Sequence, residues 1–113
     1  MASTTLIVTS AERMDNIAGA FRLEQNFPNP FNPRTTIPFM LPYPGNVKLA
    51  VFTPLGQQVA VLVNGVKDAG YHEVEFDASG LASGVYLYRI QLGPAGDRLT
   101  GGIVATKKLL VLQ

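Results

Sequence analysis

The stretch Asn26-Phe27-Pro28-Asn29-Pro30-Phe31-Asn32-Pro33 excludes helix more firmly than anything else in the chain. Each proline fixes its own φ and pushes the residue before it out of the α region, so Phe27, Asn29 and Asn32 are driven to extended or polyproline geometry. The asparagines suit local backbone bonding as Asx-turns. Phe27 and Phe31 are too large and apolar to leave in water, which predicts that both pin the segment onto a core. A proline-rich linker is the bland alternative. Linkers are poor in aromatics, however, and here two phenylalanines fall within eight residues. Alternating β-type sequence begins immediately afterwards and runs almost to Gln113. The motif reads as the start of a β-domain.

A chain of 113 residues supports one core and no large catalytic cleft beside it. Residues 1–22 are expected to be a linker or a remnant of an upstream region, with a weak helical spacing at Met14, Ile17, Ala18 and Phe21; residues 23–113 are expected to be the domain. Net charge is +1 and only 15% of residues are charged, which argues against nucleic acid as a partner. Cysteine is absent, so disulfides and thiolate metal sites are excluded. No apolar run reaches the roughly 18–20 residues of a membrane span. Leu6-Ile7-Val8 is too short for a signal peptide, so an export signal is expected upstream, in a larger protein of which this chain is the C-terminal piece.

Seven strands are expected. Thr35–Leu41 alternates with Ile37, Phe39 and Leu41 inward, and its Pro38 calls for a sheet edge or a solvent-facing site. Val47–Thr53, Gln58–Val63 and Tyr71–Phe76 follow, with Asn64-Gly65 as a turn pair and His72, Val74 and Phe76 sharing one face. Asp77–Gly84 is long enough to cross between sheets. Val85–Leu92 turns Tyr86, Tyr88, Ile90 and Leu92 inward; Gly93–Asp97 is a turn, and Arg98–Val104 and Thr106–Leu112 complete the set. Short strands, frequent turn residues and no convincing helix indicate an all-β, antiparallel β-sandwich.

Chemistry is sparse. His72 is the only histidine, whereas metal sites and nucleophilic triads need several convergent groups. Asp77, Ser79 and Ser83 read as turn residues bonding local backbone rather than as a nucleophile set. Glu73 and Glu75 share a strand face about 7 Å apart, but with no cleft they read as solvated charges. Gly56, Gly65, Gly80 and Gly84 are isolated turn glycines, not a phosphate cradle. No calcium loop is present. An enzyme is not expected, and no cofactor or metal is assigned.

The tail differs. Lys107-Lys108-Leu109-Leu110-Val111-Leu112-Gln113 sets a basic pair before four consecutive large aliphatics. One reading is a final strand buried on both faces. The other is a free end that a partner recognises, by strand addition for example.

Four stretches in order carry a resemblance: Leu23–Ile37 around the proline motif, Val51–Leu62 with its Leu55-Gly56, Gly80–Arg89 with Gly84-Val85-Tyr86, and Thr106–Leu112. Over about Ser10–Gln113 the chain resembles the type A C-terminal sorting domain of proteins exported by the type IX (Por) secretion system of Gram-negative bacteria. The resemblance implies an immunoglobulin-like seven-stranded sandwich that acts as a cargo's secretion signal. It implies folding in the periplasm, recognition by an outer-membrane translocon and its shuttle, and removal in many members by a sortase-like peptidase. The cargo, fused upstream, is then released or attached to surface lipopolysaccharide. The residues it points to are Lys107, Lys108, Leu109, Leu110, Val111, Leu112 and Gln113 for recognition. For structure they are Asn26, Pro28, Asn29, Pro30, Phe31, Asn32, Pro33, Gly56, Gly84 and Tyr86. Two departures from the family pattern stand out: Phe27 where tyrosine is usual, and Thr53-Pro54 before Leu55-Gly56. The competing reading is a non-catalytic binding module for carbohydrate or protein. With no tryptophan, only Tyr43 and Tyr71 are free to form a glycan platform.

Overall fold

Alternation decides which side of each strand is buried, and the computed structural model, described for residues 21–94 and 103–113, follows it closely. The strands are β1 (Arg22–Leu23), β2 (Arg34–Leu41), β3 (Gly45–Phe52), β4 (Gln58–Lys67), β5 (Gly70–Asp77), β6 (Gly84–Pro94) and β7 (Ile103–Val111). They form two antiparallel sheets, of order β1-β2-β5 and β4-β3-β6-β7. An immunoglobulin constant domain keeps its fourth strand with the first, second and fifth. Here the fourth strand pairs with β3 instead. The core between the sheets is built from Ile37, Phe39 and Leu41 of β2, Val47, Leu49 and Val51 of β3, Phe76 of β5, and Tyr88, Ile90 and Leu92 of β6. Each is the alternate residue of its strand, as expected.

Several expectations change. Asn64-Gly65 is not a turn: it lies inside β4, opposite Lys48 and Val47. β4 and β5 belong to different sheets, so a tight hairpin turn has no pair of strands to join. The break expected at Ala105 is absent, because Val104, Ala105 and Thr106 run unbroken along Gln91, Ile90 and Arg89; the part of the expected strand from Arg98 to Gly102 lies outside the described residues. The seventh strand is β1, which the sequence did not announce. The expected turn at Gly93–Asp97 begins inside β6; the rest of it, and the linker up to Ala20, lie outside the described residues.

Pro38 sits in the middle strand of its sheet, not at an edge. Its carbonyl accepts the Glu24 N–H at 3.0 Å. A strand residue's N–H and C=O point the same way, so the missing donor also faces β1. Glu24's carbonyl loses nothing, because the Tyr88 hydroxyl donates to it at 2.6 Å. The next backbone bridge joins Phe27 to Thr36. Gln25 and Asn26 therefore stand against Ile37 alone, a bulge of the kind that tolerates proline.

The bulge also overturns one expectation. Asn26 takes the inward position, and Phe27 turns outward and is 77% exposed. Phe31 is buried as expected and packs its ring on Phe76, with centroids 6.1 Å apart.

Candidate recognition site

The final strand does not bury both faces. Leu109 and Val111 are buried, Leu110 is half-buried and Leu112 is half exposed, the alternation of an ordinary strand with one face on the core. The same period separates the lysines. Lys107, opposite Tyr88, lies on the core side of the sheet and is half-buried; Lys108, opposite Leu87, lies on the outer side and is exposed. Neighbours in sequence thus point to opposite faces, and the pair is not one basic patch.

β6 occupies one edge of β7, and the proline motif occupies the other. The Gln25 side-chain amide donates to the Lys108 carbonyl at 2.8 Å. Asn29 Oδ1 accepts the Leu110 N–H at 2.9 Å. Phe31 closes the row with a parallel bridge to Val111: its N–H donates to the Leu110 carbonyl at 3.1 Å, and its carbonyl accepts the Leu112 N–H at 3.0 Å. Side-chain amides and one residue's backbone here do what a further strand would do. Edge groups that would otherwise invite another chain are satisfied internally. The Lys108–Leu112 segment can receive an added strand only if the motif lifts off.

Behind this edge lies a buried polar cluster. Asn26 Nδ2 donates to Thr35 Oγ1 at 3.0 Å and to the Pro28 carbonyl at 3.2 Å, and Thr35 Oγ1 donates to that same carbonyl at 2.8 Å. Asn26 Oδ1 accepts from the Gln25 amide at 2.7 Å. The Asn26 N–H donates to the Tyr88 hydroxyl at 2.9 Å. Each polar atom so placed needs a partner, since burying one without it is costly. Burial pushes the Tyr88 phenol up to about 12. The peptide bonds before Pro28, Pro30 and Pro33 are all cis. Pro30 and Asn32 are exposed, while the Pro33 carbonyl accepts the Ala78 N–H at 2.8 Å.

The crossing Asp77–Gly84 joins the same unit. Gln113 reaches it three times: its N–H donates to Ser83 Oγ at 2.8 Å, and its side-chain amide donates to the carbonyls of Ala78 at 2.6 Å and Leu81 at 3.0 Å. The Tyr86 hydroxyl donates back to the Ala82 carbonyl at 2.8 Å, the tyrosine corner of sandwich folds. Gly84 enters β6 at φ 150°, which a side chain would oppose. Asp77 bonds the Ser79 N–H and hydroxyl, as the turn reading expected; the Ser79 hydroxyl and amide, then Arg34, hold its carboxyl below the usual range. Beyond Phe52, where β3 ends beside the start of β6, Gly56 adopts φ 96° in the turn and leaves Leu55 98% exposed.

The other candidates stay structural. The His72 ring stacks on Phe39, centroids 5.2 Å apart, and its Nε2 is 2.8 Å from the Asp68 carbonyl. Glu73 and Glu75 are exposed on β5; the Tyr71 hydroxyl donates to Glu73 at 2.7 Å, and that bond raises the Tyr71 pKa. Among the described residues no three acids and histidines converge as a metal site would require. Sequence reasoning missed Gln25 and the Tyr88 hydroxyl, and it named Gln113 for recognition without foreseeing what its amide holds. The signal for Tyr88 was present: a tyrosine assigned to the core must find its hydroxyl a partner. The two glutamines carried none, because nothing local marks which edge a long amide will reach.

No curated protein and no solved structure matches the chain. The sequence model of the secretion system C-terminal sorting domain does match, over residues 25–110. That span begins at Gln25, runs through the proline motif and takes in most of β7, so it contains the motif and its partners Lys108 and Leu110, while Val111 and Leu112 follow just beyond it. The chain belongs to the type IX secretion C-terminal sorting domain family.

Proposed function

We propose that residues 23–113 form a non-catalytic sorting domain that directs a cargo fused upstream across the outer membrane through the type IX system. The translocon and its shuttle bind the folded domain in the periplasm, and a sortase-like peptidase cuts on its N-terminal side, within or before residues 1–22. The cargo ends on the outer-membrane surface or outside the cell. Lys107–Gln113 carry the recognition, with Lys108 as the outward charge. The observation that carries this reading is the family match over residues 25–110. The closed edge adds physical support: an address shared by unrelated cargoes has to hold one shape, and this one is fastened at both of its sequence ends.

The test separates recognition from folding. Lys108 is exposed, and the half-buried Lys107 makes no ion pair among the described residues, so replacing both with alanine removes little beyond the packed stem of Lys107 and should lower the melting temperature only slightly. In a type IX host, a reporter fused to that variant should stay in the periplasm while the wild-type fusion leaves the cell. Normal export of the double variant would remove the lysines from the signal. Deleting Leu109–Gln113 should abolish folding and export together, because it removes the partner of the proline motif.

A further inference from the structure

Charge is divided between the two sheets. The four-stranded sheet holds five cations, Lys48, Lys67, Arg89, Lys107 and Lys108, and no acid within its described strands. The three-stranded sheet is mixed: β5 holds Glu73, Glu75 and Asp77, while β1 and β2 carry Arg22 and Arg34. In a chain of net charge +1, composition does not produce this separation.

Lys48, Arg89 and Lys108 lie on the outer face of this four-stranded sheet, and register shows what shares it with them. Opposite the buried Tyr86, Tyr88 and Ile90, β6 turns Val85, Leu87 and Arg89 outward. Val85 faces Leu110, and Leu87 stands between Lys108 and Phe52. With Phe52 of β3, these side chains form an apolar strip across three strands. Val85 is 47% exposed and Leu112 50%. The Arg89 guanidinium lies 4.7 Å over the Phe52 ring, which fixes a charge at the strip's margin. An apolar strip rimmed by charge of one sign is the anatomy of a docking surface rather than of ordinary solvent-facing sheet.

We propose that the outer face of the four-stranded sheet, with Val85, Leu87 and Leu110 at its centre and Arg89 and Lys108 at its rim, docks an apolar protein surface bordered by carboxylates. The inference rests on the sorting role proposed above and gives that role a surface: the partner is a component of the secretion machinery. Two other occupants fit less well. Two copies meeting face to face would set Arg89 and Lys108 against their own like charges. Anionic lipid is bound by clusters of about four to eight cations with aromatic anchors, whereas this face offers Lys48, Arg89 and Lys108. The exposed Tyr71 sits on the opposite sheet.

The experiment fuses a reporter upstream of the full chain and measures its export in a type IX host. Arg89→Glu should lower export by about ten-fold, the scale of one like charge set against another across an interface. Arg89→Lys should export as the wild type does, and so should Glu73→Lys with Glu75→Lys on β5 of the other sheet. Val85→Asp should match Arg89→Glu; if it fails to fold, Arg89→Glu still decides, since that side chain is exposed and its purified domain should melt as the wild type does. Failure of the wild-type fusion to export sinks the sorting role and this inference with it. Export of the wild type and Arg89→Glu alike sinks the inference alone, as does equal loss in Arg89→Lys. Co-sedimentation with phosphatidylglycerol vesicles that Arg89→Glu abolishes would assign the face to lipid. A dimer in sedimentation equilibrium that the same variant dissolves would assign it to a second copy. Either result overturns the proposal.

Discussion

The sandwich has two flanks, finished by different means. On one, β1 faces β7, and the gap is closed by the proline motif with its buried amides and the Phe31 bridge. On the other, β4 faces β5 across a cleft of about 330 Å³ lined by Phe39, Leu62, Val63, His72 and Val74. None of Val59, Ala60, Leu62 and Val63 on β4 is fully buried. Hydrophobic alternation alone thus builds a sandwich that is loose at its side. The tight flank needs a sequence with no alternation at all, in which polar side chains are placed one by one. The domain concentrates its specificity where its hydrophobic pattern stops.

Large perturbations should therefore separate the flanks. Phe31→Ala removes a buried ring and its seat on Phe76, and should cost about 3–5 kcal/mol in denaturant unfolding. Tyr86→Ala should fall in the same range. Against a total stability of roughly 5–15 kcal/mol, either change lowers the melting temperature steeply. An unmoved melting point would show that the closed flank is decoration.

Tyr88→Phe keeps the ring and removes only the hydroxyl that joins Glu24 to Asn26. Leaving those backbone groups unpaired should cost about 1–3 kcal/mol. The variant carries a second signature. The folded phenol is raised to about 12 from an ordinary 10.0, so its contribution is complete below pH 10 and is lost as pH rises toward 12. Tyr88→Phe should lose less stability than the wild type across that window. Identical alkaline curves would detach the hydroxyl from the network.

On the loose flank, Leu62→Ala truncates a half-buried side chain beside a cleft already present, and should cost less than about 2 kcal/mol. A cost equal to that of Phe31→Ala would erase the contrast. The smallest effect belongs to Asp77, whose folded pKa lies below the ordinary 3.8. A lowered carboxyl stabilises above its unfolded pKa and loses that contribution as pH falls through the folded one. Asp77→Asn should lower the melting temperature slightly at neutrality, where the wild-type contribution is fully present, and flatten the acid limb of the profile below about pH 4, so that the two proteins converge in acid. An unchanged acid limb would discard the Ser79 bonds as a source of stability.

How much of this was legible follows the same division. Ile37, Phe39 and Leu41, or Tyr86, Tyr88 and Ile90, declare their side by period alone, and the sheets they build were readable. Phe27 was not, because the bulge at Gln25-Asn26 shifts the period by one residue, and a bulge is set by what the other strand offers. Asn64-Gly65 looks like a turn wherever it occurs; only the placement of β4 and β5 in different sheets makes it strand. Pro38 reads as an edge residue until Tyr88, 50 residues on, supplies the donor that completes Glu24. At the site, the motif and the tail were each visible, but their contact was not. Edge pairing through side-chain amides leaves no periodic trace.

The bridge between Phe31 and Val111 has a consequence in time rather than in space. The Asn29 side chain and the Leu110 amide that flank it are 81 residues apart in the chain. Closing so long a loop adds little to the equilibrium cost, because that cost grows only logarithmically with length. It matters greatly for order of events, since contacts between distant residues form late. A chain appearing from its N-terminal side presents Gln25–Pro33 early, with no edge to receive it. Until β6 arrives, Asn26 has no Tyr88 pairing, and until β7 arrives, Phe31 has no bridge and the motif has no edge to close on. Closure of that edge is therefore a completeness check. Any receptor that distinguishes the closed form from the open one passes only chains whose synthesis and folding have both reached the last strand.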